Sequence, residues 1–329
     1  MDTLTPYFSV VILCWNSNQT IAACLEALDA QAMKDFEILL VDNGSSEPIS
    51  SALLNKYSRL NIKLYTLEQN TGFAGGNNYA AARACGSYLL LLNADAFPKP
   101  DWLAIIRAAI EKYPGCFFAS RLVMANHPER LDGAGDVYHV SGLAWRKSFN
   151  TLISKVNDRE REVFSACAAA SAYPLEAFKR VNGFDKDYFS YIEDVDLGFR
   201  LRLLGYKCIY LPSASVYHVG SASTARRSDL AVYYGQRNLV WTFFKDMPGM
   251  YVWLLAPLHI LTNLLQVALA IFRRQGTITW KAKVDAVRGL SKMWQKRRQI
   301  QRTRTVPVQD LLLAMDWNPV SPLSKLLHR

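Results

Sequence analysis

The chain lacks paired cysteines. Its six (Cys14, Cys24, Cys85, Cys116, Cys167 and Cys208) lie in separate segments, and no CxxC occurs. That spacing speaks against a zinc site and against a disulfide framework, and it reads as small core residues in a reducing compartment. GxGxxG and GKS/T stretches are absent as well, so dinucleotide-binding and phosphate-loop readings lose ground. There is no internal repeat and no low-complexity tract. The opening MDTLTPYFSVVILCWNS has no basic run ahead of its apolar residues, and Phe8–Trp15 is too short and too β-branched for a secretory leader. A first core strand is expected there. Acids are nearly missing from Arg273 to Arg304, where eleven Lys or Arg accompany one acid, Asp285. This stretch carries a net charge of +10, equal to that of the whole protein, so the remainder is neutral.

What is present fits a globular protein. Of 329 residues, 50% are hydrophobic and 20% charged, enough for a sizeable core in one large or two modest domains. Up to residue 120, short apolar runs alternate with helical patterns. Strands are expected at Phe8–Cys14, Glu37–Val41, Ile62–Thr66, Tyr88–Leu92 and Cys116–Ser120, and helices near Asn18–Ala30, Ile49–Tyr57, Gly75–Cys85 and Asp101–Lys112. Such alternation implies a parallel sheet covered by helices on both faces, with ligands beyond the carboxyl ends of the strands. Asp42 follows EILLV, and Asn93 and Asp95 follow LLLL. Read alone, YLLLLNADAFPKPDW is equally a buried strand ending in a polar turn; with Asp42 it predicts one cluster from two motifs.

Residues 121–225 are less regular, with a Gly-rich loop at Asp132–Asp136 and an extended Tyr138–Trp145. A helix is expected over Glu193–Leu204, then a strand Lys207–Leu211 running on to Ser215–His218. After Lys245 the composition changes. Tyr251–Phe272 carries no ionisable side chain other than tyrosine and His259, and the basic segment follows it.

Two oxygen-bearing side chains at i and i+2 on a strand end suit a hard divalent cation that also grips phosphate oxygens. VDNGSSE (Val41–Glu47) adds another acid at a strand end. In NTGFAGGNN (Asn70–Asn78) the glycines let backbone amides approach an anion near a helix start, a plain tight turn being the alternative. Glu193, Asp194 and Asp196 crowd three carboxylates into the start of one helix. Helix capping accounts for one or two of them; the same place could keep one ionised as a general base. His218 is by default a partly buried structural histidine, and its neutral imidazole would equally complete a metal shell begun by Asp95.

Taken together, SVVILCWNS, VDNGSSE, NTGFAGGNN, LLLLNADAFPKPDWL, GFDKDYFSYIEDVDLGFRLRLLG and VYHVGSAS resemble family-2 glycosyltransferases of the GT-A fold, most closely the bacterial rhamnosyltransferase-like members. The resemblance runs over residues 8–225. It implies an α/β, Rossmann-like and mostly parallel sheet flanked by helices, in a catalytic domain over 1–245 with a nucleotide-sugar half (1–120) and an acceptor half (121–245). By the same resemblance, Asn93-Ala94-Asp95 stands in the family's DxD position, with Asp95 as metal ligand and His218 joining the shell. Asn93 replaces the usual first Asp, which weakens the metal site while leaving a diphosphate contact open. Asp42 and Asn43 would lie by the base or ribose, and Gly72, Gly75, Asn77 and Asn78 by the nucleotide and diphosphate. Asp194 would be the catalytic base, with Glu193 beside it.

The implied cofactor is Mg²⁺ or Mn²⁺. The implied donor is a nucleoside-diphosphate sugar, dTDP-rhamnose first and a UDP- or GDP-sugar second, and the acceptor a lipid-linked or growing surface polysaccharide. The implied reaction is an inverting displacement in which Asp194 takes the proton of the acceptor hydroxyl. No covalent intermediate is needed, so the missing Ser-His-Asp pattern excludes nothing. An inactive sugar-nucleotide-binding scaffold subunit is the alternative from another class. The family's processive members carry QxxRW; this chain has only QRNLVW at Gln236–Trp241, so addition of a single sugar is expected. The YYGQRN segment (Tyr233–Asn238) could line the site, with a helix surface the simpler account of Arg237.

Tyr251–Phe272 is long enough to cross a bilayer, for which about 20 apolar residues suffice, yet it contains Pro257, His259, Asn263 and Gln266. One crossing would place the basic segment opposite a cytosolic catalytic domain, against the positive-inside tendency. The expectation for 246–329 is therefore helices lying in the interface. Trp253, Trp280 and Trp294 would be anchors and the basic residues would meet an anionic membrane surface, at the cytoplasmic face of the bacterial inner membrane. Nucleic acid is the other partner for such a stretch, but no binding motif accompanies it, so no nucleic acid is expected.

Overall fold

The computed structural model describes residues 5–156, 158–220 and 228–327; Ser221, Ala222 and Ser223 of the VYHVGSAS motif lie outside them. The first half contains β1 (Phe8–Cys14), α1 (Ile21–Asp29), β2 (Phe36–Asn43), α2 (Ser51–Lys56), β3 (Ile62–Leu67), α3 (Gly72–Ala81), β4 (Tyr88–Asn93), β5 (Ala96–Pro98) and α4 (Trp102–Lys112). Next come β6 (Phe117–Met124), β7 (His127–Gly133), β8 (Asp136–Tyr138), β9 (Ala144–Arg146), β10 (Arg161–Val163), β11 (Ala170–Pro174), α5 (Leu175–Arg180), α6 (Glu193–Leu203) and β12 (Cys208–His218). The remainder is helical: α7 (Asp229–Asp246), α8 (Tyr251–Phe272), α9 (Gly276–Arg288), α10 (Leu290–Thr303), α11 (Val308–Leu313) and α12 (Val320–Leu327).

The main sheet runs β10-β12-β6-β11-β4-β1-β2-β3, with β5 on β12 and β7 on β6. β1 pairs in parallel with β2 and β4, and β2 with β3, as helical crossovers require. β1, β2 and β4 are buried almost throughout, because helices cover both faces and leave no solvent side for alternation. Their register sets Cys14 of β1 opposite Asp42 and Leu13 opposite Asn93. The carboxyl ends of β2 and β4 therefore finish level, on either side of β1.

Two elements depart from the sequence expectations. β11 lies antiparallel between β4 and β6; its small, mixed sequence gave no strand pattern. Tyr138–Trp145 is not one extended stretch but part of a hairpin, β8–β9, with Asp136 opposite Arg146. As expected, the strand after Lys207 runs on to His218, as β12, and its register shifts between Leu211 and Ser215, where Pro212 brings no N–H to the ladder. At its end His218 pairs with Ala96 of β5, directly after Asp95.

The helices after α7 fold back on it and on the GFDKD loop. Trp241 Nε1 of α7 donates to Ala286 O of α9 at 3.0 Å, and Arg297 of α10 donates to Phe244 O and Gly249 O at 3.2 and 2.9 Å. The basic segment is thus partly internal. Lys292 meets Asp187 at 2.6 Å, Lys296 pairs with Asp185 and Asp187, and Lys283 is buried.

Candidate active site

His218 is the centre of the first cluster. Its ring is 4% exposed, with Nε2 3.3 Å from Asp95 Oδ1 and Nδ1 2.8 Å from Asp132 Oδ2. The Asn93 amide lies 3.4 Å from Nε2. Burial opposes protonation of this imidazole, but the Asp132 and Asp95 carboxylates outweigh it and hold its pKa above the ordinary value. Asp132, at the end of β7, is a functional candidate that sequence reasoning missed; it sat in a loop noted only for its glycines. Gly133 and Gly135 follow it closely, and no local pattern marked it as more than the start of a turn. Gly133 leaves room for Arg146, whose Cδ would lie 2.4 Å from an added Cβ.

A small, hard divalent cation fits this donor set. Asp95 offers a carboxylate, His218 Nε2 a nitrogen, and Asn93 an amide beside them, while Asp132 on Nδ1 fixes the ring orientation. Among the described residues no group of three or more His, Cys, Asp or Glu is placed to hold a metal ion by itself. A partial protein shell of this kind leaves positions for phosphate oxygens and water.

Asp194 is joined to this cluster through two consecutive alanines. Ala168 N donates to Asp194 Oδ2 at 3.2 Å, and Asn93 N donates to Ala169 O at 3.0 Å. Oδ1 accepts from Val195 N at 2.9 Å, in the first turn of α6. Burial raises its carboxyl above the usual range, against the pull of the Ala168 amide and the Arg146 guanidinium. Arg146 accompanies both clusters: it binds Asp132, and its charge acts on Asp136 and Asp194.

The other two acids of the helix start have different surroundings. Asp196 accepts from Arg200 Nε and Nη2 at 2.9 and 2.7 Å and pairs with Lys245. Glu193 is 5% exposed, and burial, then the Asp194 charge, pushes its carboxyl well above the usual range.

The segment before α6 is strained. Phe189 has φ 64° and ψ −63°, and Ser190 N donates to Tyr188 O at 2.7 Å, a γ-turn of the uncommon hand. Tyr191 and Ile192 follow with φ 68° and 67°, an outlying region for a β-branched residue. Asn238 of α7, fully buried, holds the segment by donating from Nδ2 to Tyr188 O, Ser190 O and Tyr191 O at 3.1, 3.0 and 2.7 Å. Arg237 Nη2 adds a bond to Asp187 O at 2.8 Å. The YYGQRN segment therefore reaches the turn before Asp194 rather than forming a plain helix surface.

The same turn meets the glycine loop. An added Cβ at Gly72 would lie 2.4 Å from Phe189 O, and Ala74 N donates to that carbonyl at 3.1 Å. Gly75 sits against the Thr71 side chain. Asn77 donates to Phe73 O, and Asn78 exchanges two bonds with the Phe184 backbone at 2.7 and 2.8 Å. Asn43 binds Asn70, Thr71 and Gly72, while both Asp42 oxygens accept backbone amides, from Ser45 and Ile49. These side chains shape the loops flanking the β2 and β4 ends. A cavity of about 550 Å³ between the GFDKD loop and α10 is lined by none of Asp95, Asp194 and His218.

The sequence model described as Glycosyl transferase family 2 matches residues 9–180. The chain belongs to that family. It is a nucleotide-sugar-dependent glycosyltransferase of the GT-A fold. An N-acetylglucosaminyl-diphospho-decaprenol L-rhamnosyltransferase of Mycobacterium tuberculosis is 26% identical over 68% of this chain and 79% of its own. The amylovoran biosynthesis glycosyltransferase AmsB of Erwinia amylovora is 27% identical over 71% and 76%. Among solved structures, a mannosyltransferase from Pyrobaculum calidifontis in complex with GDP-Man and Mn²⁺ superposes with a TM-score of 0.55 at 18% identity, covering 99% of this chain and 88% of that one. S. aureus TarS with UDP-GlcNAc gives 0.55 at 15% identity and 90% of each. At such identities this family-2 chain shares their fold.

Proposed function

We propose that this glycosyltransferase transfers a single sugar, L-rhamnose from dTDP-rhamnose, to a lipid-linked or growing surface polysaccharide, with inversion at the anomeric carbon and departure of dTDP. The observation that carries the chemistry is the Ala168–Ala169 bridge, which ties Asp194 to the strand end bearing Asn93 and Asp95. The preference for rhamnose and for a lipid-linked acceptor rests on the mycobacterial relative, named for L-rhamnosyl transfer to a diphospho-decaprenol.

In this reading Asp95 and His218 hold a divalent cation, Mg²⁺ or Mn²⁺, with Asn93 beside the diphosphate and Asp132 orienting the imidazole. When bound, the cation neutralises charge on the departing diphosphate. Asp194 accepts the proton of the acceptor hydroxyl as that oxygen attacks the anomeric carbon, and its raised pKa makes it a stronger base than a solvent-exposed aspartate. The turn at Phe189–Ile192 sets where Asp194 stands.

The test is a thermal-shift panel of nucleotide sugars followed by a transfer assay. The expected result is the largest stabilisation with dTDP-rhamnose. A larger shift with a UDP- or GDP-sugar moves the donor assignment, and binding without turnover on any acceptor favours a scaffold.

A further inference from the structure

α8 is built inside out. Its buried residues are Val252, His259, Thr262, Gln266 and Ala270, a helical stripe in which three of five are polar. His259 Nδ1 donates to Ser141 O at 2.8 Å and its ring stacks on Phe243 at 4.0 Å. Gln266 Oε1 accepts from Lys283 at 3.1 Å. The opposite face is exposed and wholly apolar: Trp253 is 62% exposed, Leu254 58%, Leu261 63%, Leu264 59%, Ile271 63% and Phe272 85%. A helix that turns its polar groups to the protein and its leucines outward is made for an apolar medium.

The flanking helices decide how that medium is met. α7 and α9 precede and follow α8, and they are bonded to each other: Tyr233 Oη donates to Asp285 at 2.9 Å and Lys283 Nζ to Gln236 O at 3.0 Å. A single crossing by α8 would put a bilayer between them. Exposed cations add the second element. Arg274, Lys281, Arg298 and Arg302 are exposed, on or beside the helices following α8, as anionic headgroups require.

We infer that α8 lies in the plane of an anionic lipid bilayer, its Trp253–Phe272 face sunk into one leaflet and its two neighbours on the same side as the sheet. This goes beyond the catalytic reading, because it holds for any donor sugar. It has a consequence for the site. His259 grips Ser141 in the turn of the β8–β9 hairpin, the hairpin that carries Asp136 and Arg146 toward Asp194. The docking helix is thereby one hairpin away from the proposed base, so a lipid-linked substrate is met where its headgroup emerges.

The full chain is floated with vesicles of phosphatidylcholine alone and of phosphatidylcholine with phosphatidylglycerol. The expected result is strong flotation with the anionic vesicles. The double variant L261E/L264E should bind at least about tenfold more weakly, since two leucines no longer enter the leaflet. Its melting temperature and its turnover of a water-soluble acceptor should match the unchanged protein, which separates failure to dock from failure to catalyse. On sealed membrane vesicles, a C-terminal epitope should be cleaved by protease from the same side as the catalytic half; its protection would mean a span and overturn the proposal. Equal flotation of the double variant would overturn it too, as would lipid-independent dimerisation abolished by the same substitutions.

Discussion

His218 directs Nδ1 to Asp132 Oδ2 at 2.8 Å, which aims its other nitrogen at Asp95. Replacing Asp132 by Asn keeps the shape but removes the charge that fixes the tautomer. Asp132→Asn should lower kcat/KM by roughly 10- to 100-fold, with a higher Mn²⁺ concentration needed for half-maximal rate. EDTA should suppress the unsubstituted enzyme and added Mg²⁺ or Mn²⁺ restore it; turnover indifferent to chelator would remove the cation from the site.

Asp194 is assigned the proton transfer. Asp194→Asn keeps an acceptor oxygen for only one of the two backbone amides, Ala168 N or Val195 N, and cannot take a proton, so kcat should drop by at least about 10²-fold. The thermal shift produced by donor should persist. Unchanged turnover in this variant would reassign the base.

Asn238 holds three carbonyls of a turn that would otherwise relax. Asn238→Ala should cost about 1–3 kcal/mol, the range for leaving buried polar groups unsatisfied, read as a lower denaturation midpoint. Because the turn leads into Asp194, kcat should fall more than the KM for donor rises. Gly72→Ala is expected to be at least as damaging, since the new methyl group has no room beside Phe189 O.

Lys283 is buried against Gln236 O and Gln266 Oε1 with no acid partner among the described residues, and desolvation brings its pKa down to about 7. The unfolded chain, with a lysine pKa near 10.4, binds more protons than the folded one between those values, so stability rises with pH there. From pH 7 to pH 9 the gain should be about 2 kcal/mol. Lys283→Met should flatten that part of the profile, as measured by denaturant unfolding across the range.

The alternating half of the fold was legible because each strand is a short apolar run followed by a helical pattern. β1, β2 and β4 follow that rule, and the positions of Asp42, Asn93 and Asp95 at strand ends came with it. β11 escaped because Ala-Ser-Ala-Tyr-Pro, enclosed by other strands, needs neither alternation nor bulk. Asp132 escaped for a different reason. Its partner His218 is 86 residues away, and nothing local distinguishes an acid that orients an imidazole from one that ends a turn. The basic segment was visible as charge, but pairings such as Lys296 with Asp185 depend on the folding back of α10, which no local pattern encodes.

Those pairings bear on how this protein can be handled. A boundary drawn after Lys245 looks natural from composition, yet it would strip Lys292 and Lys296 from the GFDKD loop and Arg297 from the carbonyls closing α7. A shortened version intended for crystallisation or for a soluble assay should also keep α11 and α12, since Leu311, Leu312, Met315 and Leu326 are buried in the core and Asp316 exchanges backbone bonds with Tyr138 and Val140 of the β8–β9 hairpin. Solubility is better sought by substituting the outward leucines of α8 than by cutting.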